Sequence, residues 1–236
     1  MDREYCKWRS SRLSREMEML VFGHAGAPLI VFPTSCGRFY EFEDRGMVAA
    51  LSDKIDQGAL QLYCVDSVDS ESWYNRRATP LAKIVRHLQY EGHILDEVLP
   101  LVHQRNSSPY LKAVGCSFGG YHAGNIALRH PDIFTGFLSM GGTFDPSRFL
   151  RGHADNDSSS NIPLHYMANP ASQWHLDLYR RNSYVLATGA QDQCKGENER
   201  LSALLRAQDI PHRLEVWGDG AGHDWPWWRQ MAQAYL

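Results

Sequence analysis

A serine enclosed by glycines is the feature of this sequence that most directly suggests chemistry. Residues 113–120 read Ala-Val-Gly-Cys-Ser-Phe-Gly-Gly, which places Ser117 at the centre of a G-x-S-x-G motif. An apolar stretch typical of a strand precedes the motif, and a helical pattern follows it. A sharp turn between a strand and a helix needs small neighbours and lifts the serine hydroxyl above the edge of a sheet. The motif therefore predicts a nucleophilic serine at position 117.

A serine hydroxyl needs a base to remove its proton and an acid to orient that base. Among the 11 histidines, His223 stands out because it lies in the glycine-rich stretch 218–224, between the last predicted strand and the C-terminal helix. Asp192 follows a predicted strand and lies between Ser117 and His223 in the chain, which is the order expected for a strand-turn-helix nucleophile. We expect Asp192 to be the acid. The remaining alternatives for the acid are Asp145, Glu197 and Glu199.

Acyl transfer also requires donors for the negative oxygen that develops on the acyl group. The backbone N–H of Phe118, next to the nucleophile, is the first candidate, and the loop after the first buried strand supplies the second. Ser35 and Cys36 both fit there, and we favour Ser35. Trp73 lies in a polar loop after another strand, so we expect it to form part of the substrate pocket wall. Without a long apolar stripe to line a tunnel, the pocket should accept short acyl chains.

Short apolar runs alternate with helical patterns along most of the chain, after two strands that read as an antiparallel pair. The predicted strands are residues 8–13, 16–22, 28–33, 60–65, 111–116, 136–140, 184–188 and 213–217. The predicted helices are residues 41–57, 79–104, 118–130, 196–208 and 225–235. This pattern indicates a mostly parallel sheet covered by helices on both faces. The long connection at about 143–182 is expected to border the site.

The composition narrows the range of partners. The 236 residues include 24 Lys and Arg against 27 Asp and Glu, and the net charge of −3 argues against nucleic-acid and anionic-membrane partners. No run approaches the roughly 18 apolar residues of a membrane span, and the N-terminus lacks a signal-peptide core. The five cysteines are scattered, without metal-binding spacing, so we expect free thiols in the cytoplasm. No metal or organic cofactor is implied, and formation of a homo-oligomer is left open.

The motifs together resemble those of the α/β-hydrolase superfamily, in the branch of esterases that includes S-formylglutathione hydrolases, feruloyl esterases and enterochelin esterases. The resemblance rests on W-R-S at residues 8–10, the G-x-S-x-G-G turn, R-H-P-D-x-F at 129–134, G-x-x-D at 189–192 and G-H-D-W at 222–225. It implies one α/β-hydrolase domain over residues 1–236 without a large separate lid, and a triad of Ser117, Asp192 and His223. It also implies a serine esterase acting on a small carboxylic or thiol ester. An acyltransferase of the same fold and a non-catalytic binding protein are the alternatives.

Overall fold

The computed structural model describes residues 1–153 and 155–236. Within them, eight strands form one sheet in the order β1-β2-β4-β3-β5-β6-β7-β8. The strands are β1 (Arg3–Ser10), β2 (Arg15–Phe22), β3 (Ala27–Phe32), β4 (Leu60–Val65), β5 (Lys112–Cys116), β6 (Gly136–Met140), β7 (Ser183–Gly189) and β8 (Arg213–Trp217). β2 pairs antiparallel with both β1 and β4, whereas all pairs from β4 to β8 are parallel. The carboxyl ends of six strands therefore meet at one edge of the sheet.

Helices lie between the strands and after the last one. They are α1 (Glu41–Asp44), α2 (Met47–Ala50), α3 (Ser52–Asp56), α4 (Pro80–His93), α5 (Leu99–Arg105), α6 (Phe118–Arg129), α7 (Asn156–Ser159), α8 (Pro163–Tyr166), α9 (Gln173–Tyr179), α10 (Lys195–Ala207) and α11 (Trp225–Tyr235). A π-helical turn, Ile94–Val98, joins α4 to α5, and a 3₁₀ helix, Pro146–Leu150, follows β6. No helix in the described ranges is long and apolar enough to cross a membrane.

The sheet is covered on both faces, as its nearly continuous apolar strands predict. Ile30 of β3 packs in a core with residues of α4, α5, α6 and α10. Its neighbours Leu29 and Val31 face the other way and pack with residues of α1, α2, α3 and α11. This alternation follows from the period of two along a strand, and it fixes the sheet rigidly beneath its carboxyl edge.

Two predicted elements differ from the structure. The first strand runs over Arg3–Ser10 rather than 8–13, because residues 11–14 form a tight turn in which Ser14 has a φ of 56°. β1 is a largely exposed edge strand, so it carries no apolar periodicity that would have located it. The helical stretch predicted at 41–57 is divided into α1, α2 and α3, and Gly46 interrupts it with a φ of 72°.

Candidate active site

Ser117 lies at the turn between β5 and α6 in a backbone conformation that non-glycine residues rarely adopt. Its φ is 53° and its ψ is −122°, and such strain costs about 1–3 kcal/mol. The two motif glycines make the turn possible. A Cβ on Gly115 would lie 2.2 Å from the carbonyl carbon of Gly119, and a Cβ on Gly119 would lie 2.4 Å from the oxygen of Phe32. The local sequence therefore holds the serine hydroxyl at the carboxyl edge of the sheet.

The structure brings the three predicted triad residues together at this edge. Ser117 Oγ lies 2.9 Å from His223 Nε2, and His223 Nδ1 lies 2.9 Å from Asp192 Oδ1. A carboxylate only accepts hydrogen bonds, so Nδ1 carries the proton and Nε2 is free to accept from the serine hydroxyl. Asp192 is 5% exposed, and its Oδ1 also accepts from the N–H of Cys194 at 2.7 Å. The arrangement can move a proton from Ser117 to His223 and stabilise the resulting imidazolium.

The alternative acids are engaged elsewhere. Asp145 accepts from the N–H of Ser147 at the start of the 3₁₀ helix. Glu199 forms an ion pair with Lys195 at 3.6 Å. Glu197 Oε2 accepts from Thr143 Oγ1 and from two backbone N–H groups of the loop after β6. Asp192 is thus the acid that contacts His223.

Gly141 was not singled out in the sequence, although the triad depends on it. Its φ is +60°, and a Cβ there would lie 2.5 Å from Asp192 Oδ2 and 3.1 Å from His223 Nδ1. Any larger residue would therefore press against the hydrogen bond between the acid and the base. Its position directly after β6, at the same sheet edge as Ser117, is the signal that could have identified it.

The loop after β3 presents the second predicted oxyanion donor. The N–H of Thr34 donates to Glu41 Oε2 at 2.7 Å, and the N–H of Cys36 donates to Asp69 Oδ2 at 3.2 Å. Ser35 lies between these two anchored residues. Within residues 1–153 and 155–236, neither the N–H of Ser35 nor that of Phe118 has a hydrogen-bond acceptor. Both residues line the same cleft as Ser117, so both N–H groups remain free for a substrate oxygen.

The cleft above Ser117 has a volume of about 310 Å³. Besides Ser35, Ser117 and Phe118, its lining comprises Tyr74, Thr143, Arg148, Gln193, Cys194 and Glu197. Two of these residues, Thr143 and Arg148, come from the segment 143–182 that was expected to border the site. The lining is predominantly polar, and most of its residues were not identified individually from the sequence.

The expected position of Trp73 needs correction. Its side chain is 0% exposed and packs edge-on against Tyr121 with ring centroids 5.7 Å apart, so it lies behind the cleft wall. The next residue, Tyr74, lines the cleft instead, and its hydroxyl lies 2.6 Å from Ser35 Oγ. The turn buries the larger apolar ring and leaves the ring with a hydroxyl beside the polar cleft.

Asp192, Cys194 and His223 also place potential metal-ligand atoms within 4.8 Å of one another. Two of the three are already joined in the hydrogen bond described above. Burial raises the pKa of the Cys194 thiol to about 12, so it stays protonated at neutral pH and is a poor ligand. Cys116, beside the nucleophile, is buried, and burial raises its pKa well above the ordinary value, as expected for an inert thiol. The cluster fits proton transfer better than metal binding.

Comparisons with known proteins agree with this fold. Residues 43–234 match the model of the family described as "Putative esterase". A ferulic acid esterase superposes with a TM-score of 0.80 at 17% identity, covering 100% of this chain and 95% of the other. The S-formylglutathione hydrolase of Agrobacterium tumefaciens gives a TM-score of 0.74 at 16% identity, covering 99% and 92%. That of Staphylococcus aureus gives 0.71 at 15% identity, covering 99% and 96%.

No curated protein sequence matches the chain. The α/β-hydrolase fold predicted from the sequence is confirmed by the eight-stranded sheet and by these structural neighbours. The family match extends over most of the chain, from within α1 to within the last turn of α11. The chain accordingly belongs to the esterase family of α/β-hydrolases and is a hydrolase that acts on esters.

Proposed function

We propose that the protein is a serine esterase that cleaves small carboxylic or thiol esters through an acyl-enzyme on Ser117. The observation that carries the proposal is the continuous hydrogen-bond chain from Ser117 Oγ through His223 to Asp192, opening onto the cleft. Free N–H groups of Ser35 and Phe118 at the same cleft supply the matching oxyanion donors. Together these groups provide each component that acyl transfer requires.

In the first half of the reaction, Ser117 Oγ forms a bond to the acyl carbon while its proton passes to His223 Nε2. The N–H groups of Ser35 and Phe118 stabilise the negative oxygen. When the bond to the alcohol or thiol breaks, His223 returns the proton to that leaving group. In the second half, water loses a proton to His223 and attacks the acyl-enzyme, and Ser117 recovers its proton as the carboxylic acid departs.

The cleft also supports a preference for short acyl chains. A buried methylene contributes about 0.8 kcal/mol only where apolar wall receives it. Of the six lining residues beyond the predicted donors and nucleophile, Tyr74 and Cys194 are the least polar, and the others carry hydroxyl, amide or charged groups. Longer chains would extend into water or displace the polar groups.

A fluorophosphonate probe tests the proposal directly. Ser117 should displace fluoride and become phosphonylated with one label per chain, and Ser117→Ala should abolish labelling. The matched control is Ser107→Ala, because Ser107 is an exposed serine that does not line the cleft. In parallel, the wild type should hydrolyse 4-nitrophenyl acetate and butyrate faster than the octanoate. Labelling of another serine, or equal turnover by Ser117→Ala, would refute the mechanism.

A further inference from the structure

Arg148 is a cation in the cleft that forms no ion pair with any residue the structure describes. It lies in the 3₁₀ helix Pro146–Leu150, is exposed, and lines the cleft together with Ser117. Across residues 1–153 and 155–236, its guanidinium has no ion-pair partner, whereas Arg129, for example, is paired with Glu91. Its Cζ lies over the ring of Phe149, 4.9 Å from the ring centroid. A cation–π contact of this kind is made without a hydrogen-bond acceptor, so the guanidinium N–H groups can still donate to a ligand.

The carboxylate that shares the cleft, Glu197, and the one that is near in the chain, Asp145, each bind other groups. Glu197 Oε2 accepts from Thr143 Oγ1 at 2.7 Å, from the N–H of Phe144 at 2.5 Å and from the N–H of Asp145 at 2.8 Å. These three donors stabilise its negative charge and hold it against the loop. Asp145 itself accepts from Ser147 and lies 4.0 Å from His165. Neither carboxylate forms an ion pair with Arg148 in the described part of the chain, so its N–H groups are open to an acceptor on a bound ester.

The positive charge of Arg148 also affects the pKa values of two residues that line the cleft beside Ser117. Burial raises the pKa of Tyr74, and the nearby charge of Arg148 is among the effects that oppose this rise. Arg148 opposes the burial-driven rise in the pKa of Cys194 in the same way. The Tyr74 hydroxyl is in turn 2.6 Å from Ser35 Oγ, in the oxyanion loop. The positive field thus reaches both Tyr74 and Cys194, in the space a bound ester would occupy.

We propose that Arg148 binds a carboxylate group carried by the ester substrate, so that the preferred substrates are monoanionic esters. The inference rests on the proposed function and adds the chemical class of its substrate. A guanidinium edge matches a carboxylate with two parallel hydrogen bonds, and charge-assisted bonds of this kind are about twice as strong as neutral ones. The carboxylate can belong to the acyl part or to the alcohol part of the ester, and the two sources can be separated by experiment.

Matched esters that differ only in charge provide the test. On the alcohol side, 4-acetoxybenzoate is compared with its methyl ester; on the acyl side, monomethyl adipate is compared with dimethyl adipate. The variants are Arg148→Gln, Arg148→Lys and Arg200→Gln, which removes the same charge from an exposed residue of α10 outside the cleft. Fluorophosphonate labelling of Ser117 verifies that each variant retains a folded active site.

We expect the wild type to prefer the anionic member of at least one pair. Arg148→Gln should lower kcat/KM for that ester by about tenfold or more and change kcat/KM for its neutral partner by less than about threefold. Arg148→Lys should recover part of the loss, because lysine restores the positive charge but cannot make the two parallel hydrogen bonds of a guanidinium. Arg200→Gln should behave as the wild type. The preference should weaken as the salt concentration rises.

Two results would overturn the inference. Hydrolysis of the neutral esters at Ser117, with no preference for charge or with equal losses for both members in Arg148→Gln, would remove the role of Arg148 and leave the esterase mechanism intact. If the wild type hydrolysed none of the four esters and Ser117 was not labelled, the proposed function would fail, and the role of Arg148 with it.

Discussion

Asp192 is the most enclosed member of the hydrogen-bonded triad. Its Oδ1 accepts from both His223 and the N–H of Cys194, while its Oδ2 is buried and has no hydrogen-bond partner within the described ranges. Because the carboxylate can only accept, it fixes the proton of His223 on Nδ1 and leaves Nε2 unprotonated toward Ser117. Asp192 therefore controls His223 in two ways: it selects the tautomer of the imidazole, and its negative charge stabilises the imidazolium.

We predict that Asp192→Asn lowers kcat by about 10³ to 10⁴. The amide can donate to Nδ1 and so favours the tautomer in which Nε2 carries the proton and cannot accept from Ser117. Turnover of 4-nitrophenyl butyrate, normalised to folded protein, measures the effect. Glu199→Gln is the matched control and should turn over normally, since Glu199 is exposed and pairs with Lys195 at 3.6 Å. A large loss in Asp145→Asn, with Asp192→Asn near normal, would place the acid elsewhere.

The loop between β3 and α1 owes its shape to two carboxylates from outside it. Glu41 holds Thr34 through the backbone N–H and through Oγ1 at 2.8 Å, and Asp69 holds the N–H of Cys36. Cys36 has a φ of 56°, so the loop needs such anchoring. Asp69 is 0% exposed and is fixed by His122 Nε2 at 2.8 Å. We therefore infer that Asp69 is a positioning residue for the N–H of Ser35, the proposed oxyanion donor.

Asp69→Asn should lower kcat by about tenfold or more and change KM little. Complete loss of one oxyanion donor costs about 10² to 10³, and a misdirected donor loses part of that. Titration with the fluorophosphonate corrects for any unfolded fraction, so a merely structural role would leave the corrected kcat unchanged. Asp96→Asn serves as the control, because Asp96 pairs with Arg12 at the surface. An unchanged corrected kcat in Asp69→Asn would contradict the positioning role.

The elements that the sequence predicts best are those governed by local rules. The strands from β3 to β8 and the turn at Ser117 follow from apolar runs and from glycine spacing, and the triad residues could be located at strand ends. Contacts between distant segments carry no such signal. Cys36 and Asp69 are 33 residues apart, and no pattern in either segment reveals that they meet. Trp73 illustrates the same limit, since which of two adjacent aromatic side chains faces the core depends on packing across helices.

Across the molecule, buried ionisable groups tie the elements together. Glu91 of α4 accepts from Arg129 and His130 at the end of α6, each at 3.0 Å. Glu97, in the π-helical turn, accepts from the N–H of Arg12 at 2.9 Å and from Trp8 and Ser11, and so attaches the β1–β2 hairpin to the helical layer. Each carboxylate joins segments that are distant in the chain.

These contacts make the stability of the protein dependent on pH. Burial would raise the pKa of Glu91 and of Glu97, but their hydrogen bonds and neighbouring charges outweigh it and lower both from 4.5 to about 2. Burial lowers the pKa of His87 from 6.5 to about 3 and also lowers that of His93. All four groups bind fewer protons in the native protein than in the unfolded chain. The free energy of unfolding should therefore decrease as the pH falls from about 6.5 toward 2.

Glu97→Gln isolates one contribution to this acid sensitivity. At pH 7 the variant should lose up to about 3 kcal/mol in free energy of unfolding, since one pKa unit corresponds to about 1.4 kcal/mol. Below pH 4.5 the wild-type carboxylate becomes protonated and its stabilising effect decreases. The difference in free energy of unfolding between the variant and the wild type should therefore shrink steadily. Denaturant unfolding at pH 7, 5, 4 and 3 measures this convergence.

Glu16→Gln removes an exposed carboxylate that forms no ion pair in the described part of the chain, and it should parallel the wild type throughout. A Glu97→Gln deficit that stayed constant from pH 7 to pH 3 would show that the glutamate stabilises the hairpin by packing rather than by its charge.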